Sequence, residues 1–116
     1  MKKILWFSRH ALTKDQVLGL EKVFGDTVET EMVDATVKAG ADVVGFIKGH
    51  VDGLAVVLPT QLLAEVFKLM PKGTLLLVPR SKRILVKVEG QESQIQFVHD
   101  GWEVVDNVVF ETHIIK

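Results

Sequence analysis

The sequence predicts an α/β fold with a mostly parallel sheet, helices on both of its faces and an antiparallel extension at the end of the chain. Three runs are continuously apolar rather than alternating, which is typical of parallel strands covered on both faces: residues 4–7, 54–58 and 75–78. Stretches with apolar residues at helical spacing separate these runs. At 116 residues, we expect one domain, residues 1–116, with a parallel core over 1–83 and antiparallel strands over 84–116.

The first predicted helix has clear end signals, whereas the strand and helix after it are weaker. Thr13 and Gln16 have the spacing of a capping box, and Gly25 supplies a left-handed stop. Residues 27–32 alternate and are more polar, as expected of a strand at a sheet edge. Helical spacing over residues 37–50 predicts a second helix, although its three glycines each weaken it by ~1 kcal/mol relative to alanine.

Prolines mark the element ends in the second half of the chain. Pro59 is expected to end the third strand, because proline cannot donate to the ladder, and an apolar stripe over residues 62–70 predicts a third helix. Pro79 is expected to close the fourth strand and to lead into a basic turn. The remaining predicted elements are antiparallel: a hairpin of residues 84–89 and 94–99, and one or two strands within residues 104–115.

These elements predict a Rossmann-like sheet whose parallel strands lie in the order 2-1-3-4. In such sheets a ligand binds outside the carboxyl ends of the strands where the winding direction reverses, which here is between strands one and three. The predicted crevice is lined by residues 8–13, 59–61 and 79–83.

Ser8, Arg9 and His10 stand where strand one gives way to the first helix. A hydroxyl, a cation and an imidazole beside free helix amides favour an anionic ligand. The alternative is that Ser8 caps a turn, Arg9 pairs with a surface carboxylate and His10 packs against the helix.

Two further segments face the predicted crevice. Thr60 and Gln61 open the third helix, although ordinary N-capping would also explain Thr60. The basic turn Arg80-Ser81-Lys82-Arg83 has guanidinium groups suited to clamping phosphates, a solvated turn being the alternative. Trp6 and Trp102 are expected to be core residues, with a stacking platform or lid as a second interpretation of Trp102.

Composition and charge exclude several classes of protein. A net charge of -1 provides no general field for a long nucleic acid. The absence of cysteine excludes thiolate nucleophiles and thiolate metal sites. The four histidines are too scattered in the sequence to predict a metal site. No cofactor is expected, because no glycine-rich phosphate loop follows a predicted strand. The start of the chain lacks the apolar run of a signal peptide or membrane span, so we expect a cytoplasmic protein without a membrane partner.

Residues 4–16, Ile-Leu-Trp-Phe-Ser-Arg-His-Ala-Leu-Thr-Lys-Asp-Gln, resemble the starts of the small CRISPR-associated ring nucleases, relatives of the CARF-type domains that sense cyclic oligoadenylate. Some of those proteins have an apolar strand that runs into Ser-Arg-His, others have His-x-Leu-Thr-x-x-Gln, and this chain has both patterns. The resemblance implies a CARF-like fold and a homodimer that binds a cyclic RNA messenger across its two-fold axis. It also implies hydrolase activity without metal, which would quiet the antiviral defence that the messenger drives.

Metal-free cleavage of RNA requires only that the protein orient the attacking 2′-hydroxyl, move protons and stabilise charge on the phosphate. Under this interpretation, His10 transfers the proton, and Arg9 with Arg80 or Arg83 stabilises phosphate charge. The expected hydrogen-bonding residues that position the ligand are Ser8, Thr13, Thr60, Gln61 and Ser81. The expected ligand is cyclic oligoadenylate, as the resemblance implies, or another short anionic nucleotide.

Two alternatives stay open at this point. The same crevice would serve a cyclic-nucleotide-binding module that does not cut. The chain is otherwise a structural or interaction protein of phage or plasmid origin, whose exposed strand edge and antiparallel tail form the partner surface.

Overall fold

Among the described residues, five strands form one mixed sheet in the order β2-β1-β3-β4-β5. The computed structural model describes residues 1–87, 89–90 and 92–106. β1 to β4 are parallel where they pair, and β5 is antiparallel to β4, so the predicted α/β class with a mostly parallel sheet is confirmed. The elements in chain order are β1 (Lys2–Phe7), α1 (Lys14–Phe24), β2 (Val28–Val33), α2 (Gly40–Val44), β3 (Gly53–Val56), α3 (Thr60–Leu69), β4 (Leu75–Val86) and β5 (Gln94–Val104).

The sheet separates two apolar cores, because successive side chains of a strand point to opposite faces. β1 is buried from Ile4 to Phe7, which explains its uninterrupted apolar run. One core lies against α2 and α3 and includes Leu5, Phe7, Val43 and Val66. The other lies against α1 and includes Ile4, Trp6 and Leu20.

The predicted ends of α1 are confirmed. The Gln16 backbone N–H donates to Thr13 Oγ1 over 3.1 Å, and the Thr13 backbone N–H donates to Gln16 Oε1 over 2.9 Å, which completes the capping box. Gly25 ends the helix with φ 66°, a conformation that favours glycine. Local sequence signals therefore determine where α1 begins and ends.

α2 is much shorter than the helix predicted over residues 37–50. It has five residues, because its glycines serve contacts and turns rather than helix propagation. A Cβ on Gly40 would lie 2.5 Å from the Cβ of Glu65, so this glycine lets α2 approach α3 closely. The Gly40 backbone N–H also donates to Glu65 Oε2 over 3.1 Å. Gly49 has φ 70° and interrupts the helical pattern.

The expectation that Pro79 ends the fourth strand is wrong. β4 continues to Val86, and an irregularity between Pro79 and Ser81 accommodates the proline. The predicted basic turn at residues 80–83 is therefore part of β4. The predicted boundary at residue 83, between the parallel core and the antiparallel strands, also falls inside this strand. β4 pairs in parallel with β3 up to Leu77, then continues in antiparallel pairing with β5 as far as Val86.

The predicted hairpin is confirmed in its paired part and forms a two-stranded arm beyond β3. We call residues 81–86 and 94–99 the hairpin arm; Val86 pairs with Gln94 and Ser81 with His99. Leu85, Ile95 and Phe97 share one face of the arm and are 71%, 59% and 66% exposed. Residues 88, 91 and 107–116, which include part of the predicted hairpin and most of the last predicted strands, lie outside the described residues. None of the helices in the described ranges has the length and apolar character needed to cross a membrane.

Candidate functional site

The carboxyl ends of the parallel strands open into two clefts rather than one crevice. The larger has a volume of about 520 Å³ and lies between the amino end of α1, the middle of β4 and the facing part of β5; we call it the β4–β5 cleft. The smaller, about 210 Å³, lies at the ends of β1 and β3 and against the segment after β2; we call it the β1–β2 cleft. Val57, directly after β3, lines both.

The β4–β5 cleft contains three of the predicted ligand-binding residues, Thr13, Arg80 and Ser81. Thr13 reaches the cleft because it is the N-cap of α1, and its hydroxyl already accepts the capping hydrogen bond. Arg80 and Ser81 are consecutive in a strand, yet both line the cleft. The irregularity between Pro79 and Ser81 explains this, because a bulge disturbs the strict alternation of side chains.

The charges in this cleft have both signs. Arg80 Nε lies 3.3 Å from Glu103 Oε1, and both side chains are more than half exposed. An exposed ion pair of this kind contributes less than about 1 kcal/mol, so a phosphate can replace Glu103 as the partner of Arg80 at small cost. The carboxylate of Asp15, in the first turn of α1, also lines the cleft and opposes an anion.

Ser8 and Arg9 line the β1–β2 cleft instead. The His10 backbone N–H donates to Ser8 Oγ over 3.1 Å, so the hydroxyl closes a tight turn after β1. Arg9 Nε lies 3.5 Å from Asp34 Oδ1 across the end of β2, and both side chains are largely exposed. The alternative roles of these two residues, a turn cap and a partner of a surface carboxylate, are thus present in the structure.

His10 is held through its backbone, not its ring. Its carbonyl accepts a hydrogen bond of 2.7 Å from Trp6 Nε1, and its side chain is exposed rather than packed against α1. Within the described part of the chain, His10 lines neither cleft. The structure therefore does not bring the imidazole of His10 into one cleft with Arg80 and Ser81.

The other predicted ligand-binding residues also lie outside the lining described for these two clefts. Thr60 is the first residue of α3, and Pro59 before it is the N-cap, so the explanation of Thr60 as an N-cap is wrong. Gln61 is exposed in the same first turn. Arg83 lies on the hairpin arm, with its guanidinium carbon 5.7 Å from the centroid of the Phe97 ring.

β5 supplies three cleft residues that sequence reasoning missed, Phe97, Val98 and His99. Asp15, Gln16 and Val57 also line the cleft and lie outside the predicted crevice. In the ladder, Phe97 lies opposite Arg83 and His99 opposite Ser81. The sequence signal for these residues was the predicted hairpin itself. If its antiparallel pairing is extended from residue 84 back toward residue 81, residues 97–99 lie beside the basic segment. Ending strand four at Pro79 concealed that continuation.

α1 and β5, two walls of the β4–β5 cleft, are joined by Trp102. Its Nε1 donates to the Gln16 carbonyl over 3.0 Å, and its ring packs edge-to-face on Trp6 with centroids 5.8 Å apart. Gly19 allows the close approach, since a Cβ there would lie 3.0 Å from both His99 Nε2 and Trp102 Cδ1. The core interpretation is confirmed for Trp6, whereas Trp102 is half-buried and packs against the α1 core.

His99 has a dual environment. It lines the cleft, but its two ring nitrogens are buried and have no hydrogen-bond partner among the described residues. Its ring lies 5.9 Å from that of Trp102, centroid to centroid. In this conformation the imidazole supports the wall between α1 and β5 and its nitrogens do not face solvent.

Two carboxylates with lowered pKa values support the fold away from this edge. The backbone N–H of Lys3 and then the ring of His50 hydrogen-bond Asp52, just before β3, and lower its pKa. The backbone N–H groups of Lys38 and Ala39 lower the pKa of Asp42 in α2. In its ionised form, Asp52 joins the segment before β3 to β1, and Asp42 stabilises the turn that begins α2.

Comparison with known proteins adds no assignment to this geometry: no protein-family model, curated protein or solved structure matches the chain.

Proposed function

We propose that this protein is a cytoplasmic, CARF-like, metal-independent ring nuclease that binds and cleaves cyclic oligoadenylate. The observation that carries the proposal is the β4–β5 cleft, where the half-exposed Arg80 and the Ser81 hydroxyl lie beside the exposed aromatic ring of Phe97. A cation and a hydroxyl suit a phosphate, and an aromatic surface suits a base. The resemblance of residues 4–16 to ring nucleases supports the same choice, since Thr13 and Gln16 line this cleft.

The proposed reaction is transfer within the RNA itself. The ribose 2′-hydroxyl attacks the adjacent phosphorus, the bond to the 5′-oxygen breaks, and a 2′,3′-cyclic phosphate and a 5′-hydroxyl form. The protein positions the phosphate with Arg80 and Ser81, adds charge stabilisation from Arg9, and moves the proton with His10. Arg9 lines the β1–β2 cleft, so a ligand that uses all four residues must extend from the β4–β5 cleft past the end of β1. The exposed side chains of Arg9 and His10 must turn toward it.

The size of the cleft favours a homodimer. A volume of about 520 Å³ is in the range that holds one small ligand, whereas a cyclic oligonucleotide is larger and symmetric. A two-fold axis would present two copies of the cleft to two halves of the ring. Light scattering is expected to give twice 12.9 kDa. A monomer at micromolar concentration, with and without ligand, would contradict this arrangement.

The test of the function is a cleavage assay with chelator present. Purified protein is incubated with cyclic tetra-adenylate and cyclic hexa-adenylate in excess EDTA, and the products are separated by chromatography. We expect linear products that end in a 2′,3′-cyclic phosphate. If the protein binds the rings but leaves them intact, cleavage is rejected. If there is neither binding nor product, the interaction-protein alternative is left.

A specific observation favours one second candidate, a cyclic-nucleotide-binding module that does not cut. His10 is exposed outside both clefts, and the ring nitrogens of His99 are buried, so neither of these imidazoles is placed for proton transfer in the described cleft lining. The two functions share the phosphate contacts and differ only in turnover. Measuring affinity and cleavage on the same sample separates them.

A further inference from the structure

We propose that Phe97 is a base-stacking platform, so that the β4–β5 cleft takes a nucleotide with its base on the Phe97 ring and its phosphate at Arg80 and Ser81. This inference rests on the proposed function in placing an adenine nucleotide in that cleft. It adds a specificity-determining residue on β5, a strand to which the predicted site assigned no residue.

The aromatic ring of Phe97 is largely exposed in the free protein. The side chain is 66% exposed although it lies within a strand and lines a cleft. Burying a phenylalanine side chain stabilises a fold by about 1.5–3 kcal/mol, so most of that stabilisation is unused in the free protein. A planar ligand that covers the ring would recover it at the site.

The guanidinium of Arg83 lies over the Phe97 ring. The guanidinium carbon is 5.7 Å from the ring centroid, within cation–π distance, and Arg83 itself does not line the cleft in the described residues. Phe97 and Arg83 are also directly opposite each other in the ladder, which restrains both side chains on one face of the arm. A restrained ring loses little entropy when a base stacks on it.

The spacing to the phosphate-binding groups follows from the ladder. Ser81 pairs with His99, so Phe97 is the diagonal neighbour of Ser81 on the same face. Diagonal neighbours in an antiparallel pair are about 7–8 Å apart, a span comparable to that from a base to its own 5′-phosphate. One mononucleotide unit can therefore contact the ring and the Arg80–Ser81 pair together.

Leu85 and Ile95 offer a matched control. They lie on the same face of the hairpin arm as Phe97 and are similarly exposed, but they do not line the cleft in the described part of the chain. If Phe97 served only an apolar contact of the arm with a second copy, all three residues would behave alike. If it stacks on a base, only Phe97 responds to the presence of adenine.

The experiment compares adenosine 5′-monophosphate with ribose 5-phosphate, which has the same phosphate and sugar but no base. Dissociation constants are measured by NMR titration for the wild type, Phe97→Leu, Phe97→Tyr and Leu85→Ala. In the wild type, we expect the mononucleotide to bind about 5- to 150-fold more tightly than ribose 5-phosphate, the range for one stacked base. Phe97→Leu should remove this ratio, while Phe97→Tyr and Leu85→Ala should keep it. Because Phe97 is exposed, its variants should melt like the wild type.

Equal affinities for the two probes in the wild type would overturn the inference, and so would a ratio that survives in Phe97→Leu. A ratio lost equally in Leu85→Ala would also overturn it, in favour of an arm contact between copies. The proposed function fails separately: base-dependent binding that requires Phe97, without binding or cleavage of cyclic oligoadenylates, would reject the ring nuclease and keep the stacking platform.

Discussion

His10→Ala is expected to slow cleavage of cyclic tetra-adenylate by about a hundredfold or more, because a positioned acid or base contributes at least that much to proton transfer. Affinity should change little, since a neutral imidazole contributes little to holding a phosphate. The hydrogen bond from Trp6 Nε1 goes to the His10 carbonyl, so the substitution leaves the anchoring contact in place. Single-turnover rates and dissociation constants, measured on the same preparations, check both parts of this expectation.

Arg9→Ala provides the contrasting variant. In the wild type, the Arg9 guanidinium pairs with Asp34 on the surface, an exposed contact that a phosphate can replace. Removing it should weaken ligand binding and reduce the dependence of affinity on salt, since one charge-assisted contact is lost. An unchanged rate in His10→Ala would return His10 to a backbone role beside Trp6. The search for catalytic groups would then move to Ser81 and Arg80 in the β4–β5 cleft.

Trp102→Ala is expected to lower the free energy of unfolding by about 3 kcal/mol, the lower end of the range for removing a packed aromatic side chain. The half-buried ring contacts the α1 core, packs edge-to-face on Trp6 and donates to the Gln16 carbonyl. Trp102→Phe keeps an aromatic ring and removes the hydrogen bond, so it should cost only about 1 kcal/mol. Urea unfolding of the wild type and both variants gives the comparison.

Trp102 also sets the distance between α1 and β5, so a folded variant should show a change at the site. With the ring removed, the wall formed by Thr13 and Gln16 is no longer tied to the wall formed by Phe97 and His99. Below the unfolding transition, Trp102→Ala should bind cyclic tetra-adenylate more weakly than Trp102→Phe. Equal stability and equal affinity of the two variants would show that this ring does not hold β5 in place.

Local chemistry was sufficient where an element depends on its own neighbours in sequence. The capping box of Thr13 and Gln16 and the left-handed Gly25 set the ends of α1 without reference to the rest of the fold. Continuous burial on two faces likewise requires a continuous apolar run, so residues 4–7 could be identified as a central strand. The carboxyl edge of the sheet followed as the place of the candidate site.

The elements that were predicted wrongly depend on distant partners. The helix propensity of Gly40 is low, but the absence of a side chain there allows close contact with Glu65, 25 residues away. Pro79 lacks a ladder donor, yet β4 continues through it because the residues on both sides pair with β5. Intrinsic propensity decides such positions only when no tertiary contact competes with it.

By itself, then, the sequence determined the α/β class and the ends of α1, because periodicity and capping depend on residues close together in the chain. It also indicated the carboxyl edge of the parallel strands as the place of the polar residues. Only the tertiary structure decided which of those residues share a cleft. Val57 lines both clefts, and Arg9 and Arg80 line different ones, so the predicted crevice is divided. Antiparallel pairing brings Phe97 and His99 into the larger cleft from a strand far along the chain. Long-range strand pairing and the close approach of α1 to β5 at Gly19 decide which side chains meet in the cleft. No pattern within a few residues of the sequence predicts either of them.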